Sequence, residues 1–327
     1  MFKTRMNVTR FKCVTDMKIT PKEVLEGLAA FAFDPKNPLS FEEICGFTTV
    51  EDPYNGTNFI ESEVLHGSVV SAVFRRDTRR VPSSAVKREL AKRIEKYKAD
   101  TGAEFTSRSV KSEWKEDIKH NLLTNTPFKT ELIPFFYDTE KGVGYFCNTG
   151  SSAYSSFEDA FSRGFGFSIE AEGFDCGLDF LSWLWWRIET NDLSQPENAE
   201  ISIGSRFSVS DYDTKALSGS ASDTEIRLAI ADQCNVTKMR VAPIGDTHEM
   251  TVSSNGKISS IYIPKEDLPD KESASILPIV ARFDSAYAIF DAWSEEYRNN
   301  PKSVENFHKS KKAWARPSVC GAAFDDI

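Results

Sequence analysis

The feature that most constrains the fold is a pair of amphipathic stretches between residues 83 and 123, separated by a helix-breaking Thr101-Gly102. In each stretch the apolar residues recur three or four positions apart, the spacing that places side chains on one face of an α-helix. The two apolar lines are Val86, Leu90, Ile94 and Tyr97, and then Val110, Trp114, Ile118 and Leu122. Two narrow stripes joined by a short break predict an antiparallel helical hairpin that projects from the rest of the chain.

The same region is basic within an acidic chain. Between Arg75 and Lys129 there are 15 Lys and Arg against 8 Asp and Glu, a net charge of +7. The whole chain is −9, so the remainder carries −16. This asymmetry predicts that the basic segment attracts polyanions while the rest repels them. Cations four apart form a row on each helix, which we expect to lie beside the buried stripe: Arg88, Lys92 and Lys96, then Lys111, Lys115 and Lys119. The alternative for each row is a solvated face with Glu–Lys pairs.

Outside the hairpin, short strands and helices alternate and predict an α+β fold with mixed or antiparallel sheets. Runs rich in β-branched and aromatic residues predict strands at 64–74, 132–137 and 201–209. The apolar run from Phe180 to Ile188 is too short for a membrane and predicts a buried helix. Asn255-Gly256 between two alternating runs predicts a hairpin with a type I′ turn.

These patterns suggest four parts. We expect a central α+β domain formed by 1–82 with 127–195, the helical hairpin at 83–126, a C-terminal α+β base domain at 196–300 and a polar tail at 301–327.

Catalytic machinery is not evident in the sequence. Six widely spaced cysteines without a C-x-x-C motif indicate reduced thiols in a cytoplasmic protein, and four scattered histidines do not predict a zinc site. The acidic pairs Asp211/Asp213 and Asp325/Asp326 could bind Mg²⁺ as in a nuclease, but such pairs are more often part of a loop or a terminus. No apolar run of about 18 residues predicts a membrane span, and the N-terminus lacks a signal-peptide pattern. We therefore expect no enzymatic activity, no cofactor, no metal and no membrane partner.

Four stretches, in the same order along the chain, resemble the recombination-associated RdgC family. The first is the entry to the hairpin, Val81-Pro82-Ser83-Ser84-Ala85-Val86-Lys87, together with its exit, Lys115 to Leu123, and Phe136-Tyr137-Asp138 beyond it. The others are Asp179 to Trp185, Val236-Thr237-Lys238 followed by the Asn255-Gly256 hairpin, and Arg282-Phe283-Asp284.

The resemblance implies a non-enzymatic, nucleoid-associated protein that forms a ring-shaped homodimer around double-stranded DNA. Its binding is then sequence-independent and interferes with recombinase-driven strand exchange. Phosphate contacts by Lys and Arg supply affinity of this kind without reading sequence. The expected DNA-binding residues are Arg88, Lys92, Lys96, Lys111, Lys115, Lys119, Lys215 and Lys238, and the expected dimer-interface residues are Phe128 and Trp114.

Two departures from the family pattern leave a second hypothesis open. The family closes its ring with a phenylalanine whose aligned position here is Pro127, so that Phe128 is the candidate. The family's lysine-rich loop is replaced by Lys215-Ala216-Leu217-Ser218-Gly219-Ser220, with one cation. This divergence suggests a distant relative, such as one encoded by a phage or other mobile element. The alternative function is a protein-binding antagonist of a recombinase or a host nuclease that keeps the ring fold with weak DNA binding.

Overall fold

A computed structural model describes residues 2–14, 19–36, 42–102, 105–190, 195–210, 215–220, 222–269 and 275–314. Within them, twelve strands form a single continuous sheet whose strand pairs are all antiparallel, and nine α-helices pack on it or project from it. The predicted α+β class is therefore confirmed. Among the described helices, none is long and apolar enough to cross a membrane.

The strands are β1 (Arg5–Cys13), β2 (Glu43–Thr48), β3 (Leu65–His66), β4 (Val69–Thr78), β5 (Lys129–Asp138), β6 (Val143–Phe146), β7 (Ile169–Ala171), β8 (Ile201–Ser210), β9 (Lys215–Ser220), β10 (Asn235–Pro243), β11 (Met250–Ser253) and β12 (Ile258–Tyr262). The helices are α1 (Pro21–Ala30), α2 (Glu61–Val64), α3 (Ser83–Thr101), α4 (Arg108–Thr124), α5 (Ser151–Phe165), α6 (Phe180–Thr190), α7 (Asp223–Ala231), α8 (Leu277–Asn299) and α9 (Pro301–Trp314).

The N-terminal half of the sheet runs in the order β2-β4-β5-β6-β1 and carries α1 and α5 on one face. Alternate positions of these strands are aromatic, so the space beneath α5 fills with rings. Phe157 stacks on Phe146 at 4.4 Å between ring centroids and meets Phe74 and Phe135 at an angle. Such offset and edge-to-face contacts are the geometry that aromatic quadrupoles prefer, and they make this core rigid.

The C-terminal half of the sheet runs in the order β12-β11-β10-β8-β9, and its buried face is covered by helices. The predicted buried helix is observed as α6, in which Trp183 is fully buried against Trp293 of α8. Both indoles find a hydrogen-bond acceptor: Trp183 donates to the Ser303 hydroxyl at 3.2 Å, and Trp293 donates to the Ala199 carbonyl at 2.9 Å. This satisfaction lets two tryptophans lie in the core without an unpaired N–H.

Strand β1 belongs to both halves. Its first residues pair with β12, with Arg5 opposite Tyr262, whereas Thr9 to Lys12 pair with β6. At the changeover, the Arg10 guanidinium holds Asp291 of α8 through two hydrogen bonds of 2.6 and 2.8 Å. One strand therefore joins the two halves of the sheet, and the buried Arg10 side chain links that strand to α8.

The turn between β11 and β12 differs from the sequence prediction. A type I′ turn needs positive φ at both central residues, but of the pair only Gly256 has one, at 77°. The Ser253 amide donates to the Lys257 carbonyl, which leaves a three-residue loop of Ser254, Asn255 and Gly256. The turn packs against the 172–173 backbone, where a Cβ on Gly256 would lie 2.6 Å from the Glu172 carbonyl. The type I′ assignment was therefore wrong, although the hairpin itself is present.

The segment after Pro301, expected from its polarity to be a tail, forms α9 as far as Trp314. Its polar majority faces outward, but Phe307 and Ser303 are buried, and Trp314 meets Trp185 of α6. Few apolar residues suffice because α6 and α7 provide a preformed apolar surface. Residues 315–327 of the expected tail lie outside the described part of the chain.

Replacing Phe307 with Ala should lower the free energy of unfolding by about 3–5 kcal/mol, the usual cost of emptying a buried aromatic site. The matched control is Lys312→Ala, an exposed change on the same helix that should stay within about 0.5 kcal/mol of wild type. Urea denaturation of the full chain measures both. Equal, small effects would mean that α9 does not belong to the folded core.

Candidate nucleic-acid interface

The predicted hairpin is observed as α3 and α4, held together by one aromatic contact and one ion pair. Tyr97 and Trp114 meet edge-to-face at 5.3 Å, and the Arg93 guanidinium lies 5.0 Å from the Trp114 ring. Arg93 also donates to Asp117 at 3.3 Å. The helix α3 ends at Gly102, whose left-handed φ of 66° allows the chain to turn back. The seam is therefore narrow and depends on the middle of each helix.

These contacts determine which cations share a face. Each residue of an α-helix is rotated by about 100° from the one before it, so the Arg93–Asp117 pair marks one side of the seam. The other side of the antiparallel pair is mainly cationic: it carries Lys87, Lys98, Arg108, Lys111 and Lys115, with one carboxylate, Glu95, at its edge toward the back of α3. All five cations are exposed, and none forms an ion pair with a described residue. We call these five residues the cationic face.

The side marked by Arg93 is mixed in charge. It carries Arg93 and Lys96 together with four carboxylates, Glu89, Asp100, Glu113 and Asp117. Opposite charges at this spacing cancel at long range, so this side exerts little net pull on a polyanion. The hairpin is therefore electrostatically two-sided: its 10 Lys and Arg against 7 Asp and Glu give a net charge of +3, and most of the excess lies on the cationic face.

The two predicted cation rows do not lie together. Arg88 and Lys92 lie on the back of α3, away from the seam. The Arg88 guanidinium lies 3.4 Å from the Glu89 carboxylate, and the Lys92 ammonium lies 3.0 Å from it. Lys96 lies on the mixed side, whereas Lys111 and Lys115 lie on the cationic face. The expectation that the α3 row runs beside the seam was wrong, because Arg88 is two residues, about 200°, from Val86 of the seam. Two further steps with a drift of about 40° each move the row only from the back of α3 to its mixed side.

Lys119 is engaged at the root of the hairpin. Its ammonium lies 2.6 Å from the Glu42 carboxylate next to β2, and this hydrogen bond raises the pKa of Lys119. Because Glu42 is distant in sequence, nothing in the helical pattern indicated this pair. Lys119 therefore contributes to the attachment of α4 to the sheet.

A second cationic surface lies on the open face of the C-terminal sheet. Phe207 and Met239 point toward the helices and are buried, so the residues that alternate with them, Arg206, Lys238 and Arg240, point outward. Short hydroxyl side chains surround the cations: Lys238 is flanked across the ladder by Ser208 and Ser253. A groove of about 270 Å³ is lined by Arg206, Ser208, Ser218, Lys238, Arg240 and Thr251.

The positive charge of this surface affects a neighbouring lysine. Burial, and then the positive charge of Lys238, lower the pKa of Lys257 on the adjoining turn. Lys215, also expected to bind DNA, is the first residue of β9, but its side chain lies outside the described part.

The expected interface residues lie in different places. Trp114 is in the seam of the hairpin, in contact with Tyr97 and Arg93. Phe128 is half-buried at the root of the hairpin, with the Arg79 guanidinium 4.5 Å above its ring. The phenylalanine near the tip is Phe105, whose 86% exposure is the highest among the large hydrophobic residues described. Its position between two amphipathic helices was the available sequence signal, and it was missed.

Metal-binding groups are not clustered in the described residues: no set of three or more His, Cys, Asp and Glu side chains converges there. The acidic pairs Asp211/Asp213 and Asp325/Asp326 lie outside the described part. Cys45, buried in the N-terminal core, is held as a thiol because burial raises its pKa to about 12.

Comparison with known proteins bears on the N-terminal half, including the hairpin. Residues 2–157 match the family model described as "RdgC: Putative exonuclease, RdgC". This match supports RdgC-family membership. It spans β1 to the first half of α5 and thus contains the whole hairpin, whereas the C-terminal sheet lies beyond it. No curated protein matches the chain significantly. The resemblance to the RdgC family predicted from the sequence is therefore confirmed over these residues, which are slightly less than half of the chain.

Proposed function

We propose that the chain is a sequence-independent duplex-DNA-binding protein that modulates homologous recombination as a ring-shaped homodimer, without enzymatic activity. The observation that carries the proposal is the cationic face of the hairpin, where five exposed cations stand against one carboxylate, Glu95, at the edge of the face. In a chain of net charge −9, such a surface is the favourable place for a polyanion to approach.

The dimensions of the cationic face suit a phosphate backbone. Lys87 and Lys98 are eleven residues apart on α3, roughly 16 Å along the helix axis, which spans about five base pairs of duplex DNA. Lysine and arginine on a straight helix can reach phosphates over that length without contacting base edges. Binding of this kind supplies affinity and no sequence information.

The open sheet face supplies a second set of phosphate contacts in this proposal. Arg206, Lys238 and Arg240 provide charge, while Ser208, Ser218 and Thr251 provide hydroxyl donors. Serine and threonine hydroxyls are common partners of phosphate oxygens. A duplex held between the hairpins and the sheet faces of two copies would be enclosed, and the protein would be nucleoid-associated in the cytoplasm.

Dimerisation is favoured by the incomplete burial of the hairpin. Leu90, Ile94, Val110 and Leu122 are only half-buried by the facing helix, because two helices cannot enclose a shared stripe. The exposed Phe105 ring adds an apolar group near the tip. A second copy would cover these groups with the same surface, as a two-fold interface does.

Replacing Lys98, Lys111 and Lys115 with Gln should weaken duplex binding and reduce the slope of log K against log salt by up to about 3, roughly one for each lost phosphate contact. The matched control replaces Arg88, Lys92 and Lys96 with Gln and removes the same charge from the other sides of the hairpin. Fluorescence anisotropy at 50 to 200 mM salt measures both.

The control triple should retain most of the slope. Equal losses in the two triples would mean that total charge matters and the cationic face does not. Absence of duplex binding by wild type at low salt would favour the alternative function, an antagonist that binds a recombinase or a nuclease.

Phe105→Ser should lower retention on circular duplex DNA more than on a short linear duplex. A ring opened at one of its two subunit contacts no longer retains a closed circle, whereas its phosphate contacts with a linear duplex are unchanged. Phe128→Ala is the comparison; from its place under Arg79 it should lower the thermal stability instead. Light scattering should give twice the chain mass of 36.7 kDa for wild type and both variants. A monomer at micromolar concentration would contradict the ring, and a larger circle-specific loss in Phe128→Ala would assign the contact to that residue.

The purified protein should leave end-labelled duplex and single-stranded DNA intact in the presence of Mg²⁺ or Mn²⁺. The support for this proposal is that the cationic face has a single carboxylate, Glu95, at its edge, whereas metal-assisted phosphoryl chemistry uses several acidic ligands next to the bound phosphate. Nucleotide release that follows the protein peak through gel filtration would contradict it and would agree with the exonuclease that the family model's description names.

A further inference from the structure

One carboxylate lies on the open sheet face among the cations. Glu249 immediately precedes β11, and its Oε2 accepts a hydrogen bond from Arg240 Nη1 at 3.0 Å. Arg240 is 34% exposed and Glu249 42%, so solvent reaches the pair. An ion pair in contact with water is weak and exchanges readily with other charged partners.

The local structure holds this carboxylate over the groove. The Glu249 carbonyl accepts a hydrogen bond from Arg5 of β1 at 3.2 Å, which anchors the backbone. Across the sheet, Gly204 of β8 leaves the space that the side chain uses, because a Cβ there would lie 2.8 Å from Glu249 Oε1. Gly204 does not have positive φ, so its backbone conformation does not require glycine. The room for the carboxylate is what the glycine supplies.

We infer that Glu249 competes with phosphate for Arg240 and sets the affinity of the sheet face for a phosphate backbone. This inference rests on the proposed function and adds a regulating residue to the same surface. A phosphate oxygen and the Glu249 carboxylate need the same guanidinium edge, so binding of one displaces the other. With Glu249 in place, Lys238 and Arg206 attract the duplex, and Arg240 joins only after the carboxylate has moved.

The competing carboxylate gives the surface a function that additional lysines would not. A face of three unopposed cations would hold DNA more tightly and release counterions from one more contact. Glu249 keeps the affinity of the sheet face for the duplex low, so the duplex can slide through the ring while enclosure by the dimer provides retention. The displaced carboxylate remains close and repels phosphate, which favours release.

The test uses the full-length protein and a 30-base-pair duplex. Glu249→Gln should bind about two- to five-fold more tightly, with a salt slope steeper by about 1. Gly204→Ala should act in the same direction, because its methyl group would lie 2.8 Å from Glu249 Oε1 and displace the flexible carboxylate, whereas the Arg240 Cβ and Cγ atoms, at 3.2 Å, need to shift only slightly. The control is Glu295→Gln, the same charge change at an exposed site on α8 behind the sheet. Affinity and slope in Glu249→Gln equal to those in Glu295→Gln would overturn the inference.

A second measurement separates this inference from the proposed function. In protein labelled with ¹⁵N-arginine, the Arg240 side-chain resonance, assigned by its loss in Arg240→Gln, is followed during titration with inorganic phosphate. The midpoint should fall by about two- to five-fold in Glu249→Gln, whether or not the duplex binds. An unchanged midpoint overturns the competition, whereas a lowered midpoint without duplex binding by any variant overturns the DNA-binding function and leaves the competition in place.

Discussion

The double pairing of β1 is the constraint on which the rest of the structure depends. The N-terminal part of β1 pairs with β12 and the C-terminal part pairs with β6, so the two halves of the sheet cannot move independently. Arg10 lies at the point of exchange, only 9% exposed, and is bonded to Asp291, with Glu172 at 2.7 Å and the Tyr287 ring 4.6 Å away. A buried cation is costly unless it is fully paired, and this one is paired on several sides.

The same cluster explains why α8 is fixed to the strand. Burial by itself would lower the pKa of Arg10, but the hydrogen bond and charge of Asp291 outweigh it and raise the pKa. The Tyr287 hydroxyl accepts from the Arg10 amide and donates to the Val8 carbonyl, which satisfies the backbone where the strand changes partners. The hairpin, which extends from the N-terminal half of the sheet, and the open face of the C-terminal half are therefore held in one continuous sheet, because β1 belongs to both halves.

The distribution of charge follows from how each part is stabilised. The sheet halves have large aromatic and aliphatic cores and can carry an acidic exterior at little cost. The hairpin has a narrow seam, and among the apolar residues of α3 and α4 only Val86, Ile118 and Leu123 are buried. The stability of the hairpin depends on helix propensity and on the Tyr97–Trp114 contact, and its charged side chains keep the exposed surface hydrated. A thin arm of this kind can present cations on one side while the other side balances them with carboxylates.

The sequence by itself determined the local elements and the resemblance to the RdgC family. Periodicity of three and four residues placed α3 and α4, the apolar run placed α6, and strand-forming runs placed β4, β5 and β8, because these signals lie within each segment. The fold class followed from the order of such segments, and the RdgC resemblance followed from the residues of four short stretches. These parts needed no knowledge of which residues meet across the chain.

Only the tertiary structure decided which face each charged side chain lies on and which partners the charged and aromatic side chains contact. The face on which each lysine lies depends on how α3 is rotated against α4, and this rotation is set by Arg93, Trp114 and Asp117 rather than by spacing along either helix. The pairing of Lys119 with Glu42 and of Arg240 with Glu249, and the packing of Phe307 of α9 against α6, likewise depend on partners that other elements bring close. Local sequence carries the preference of a segment for helix or strand, whereas the free energy that selects a neighbour comes from burial and charge pairing between segments far apart in the chain.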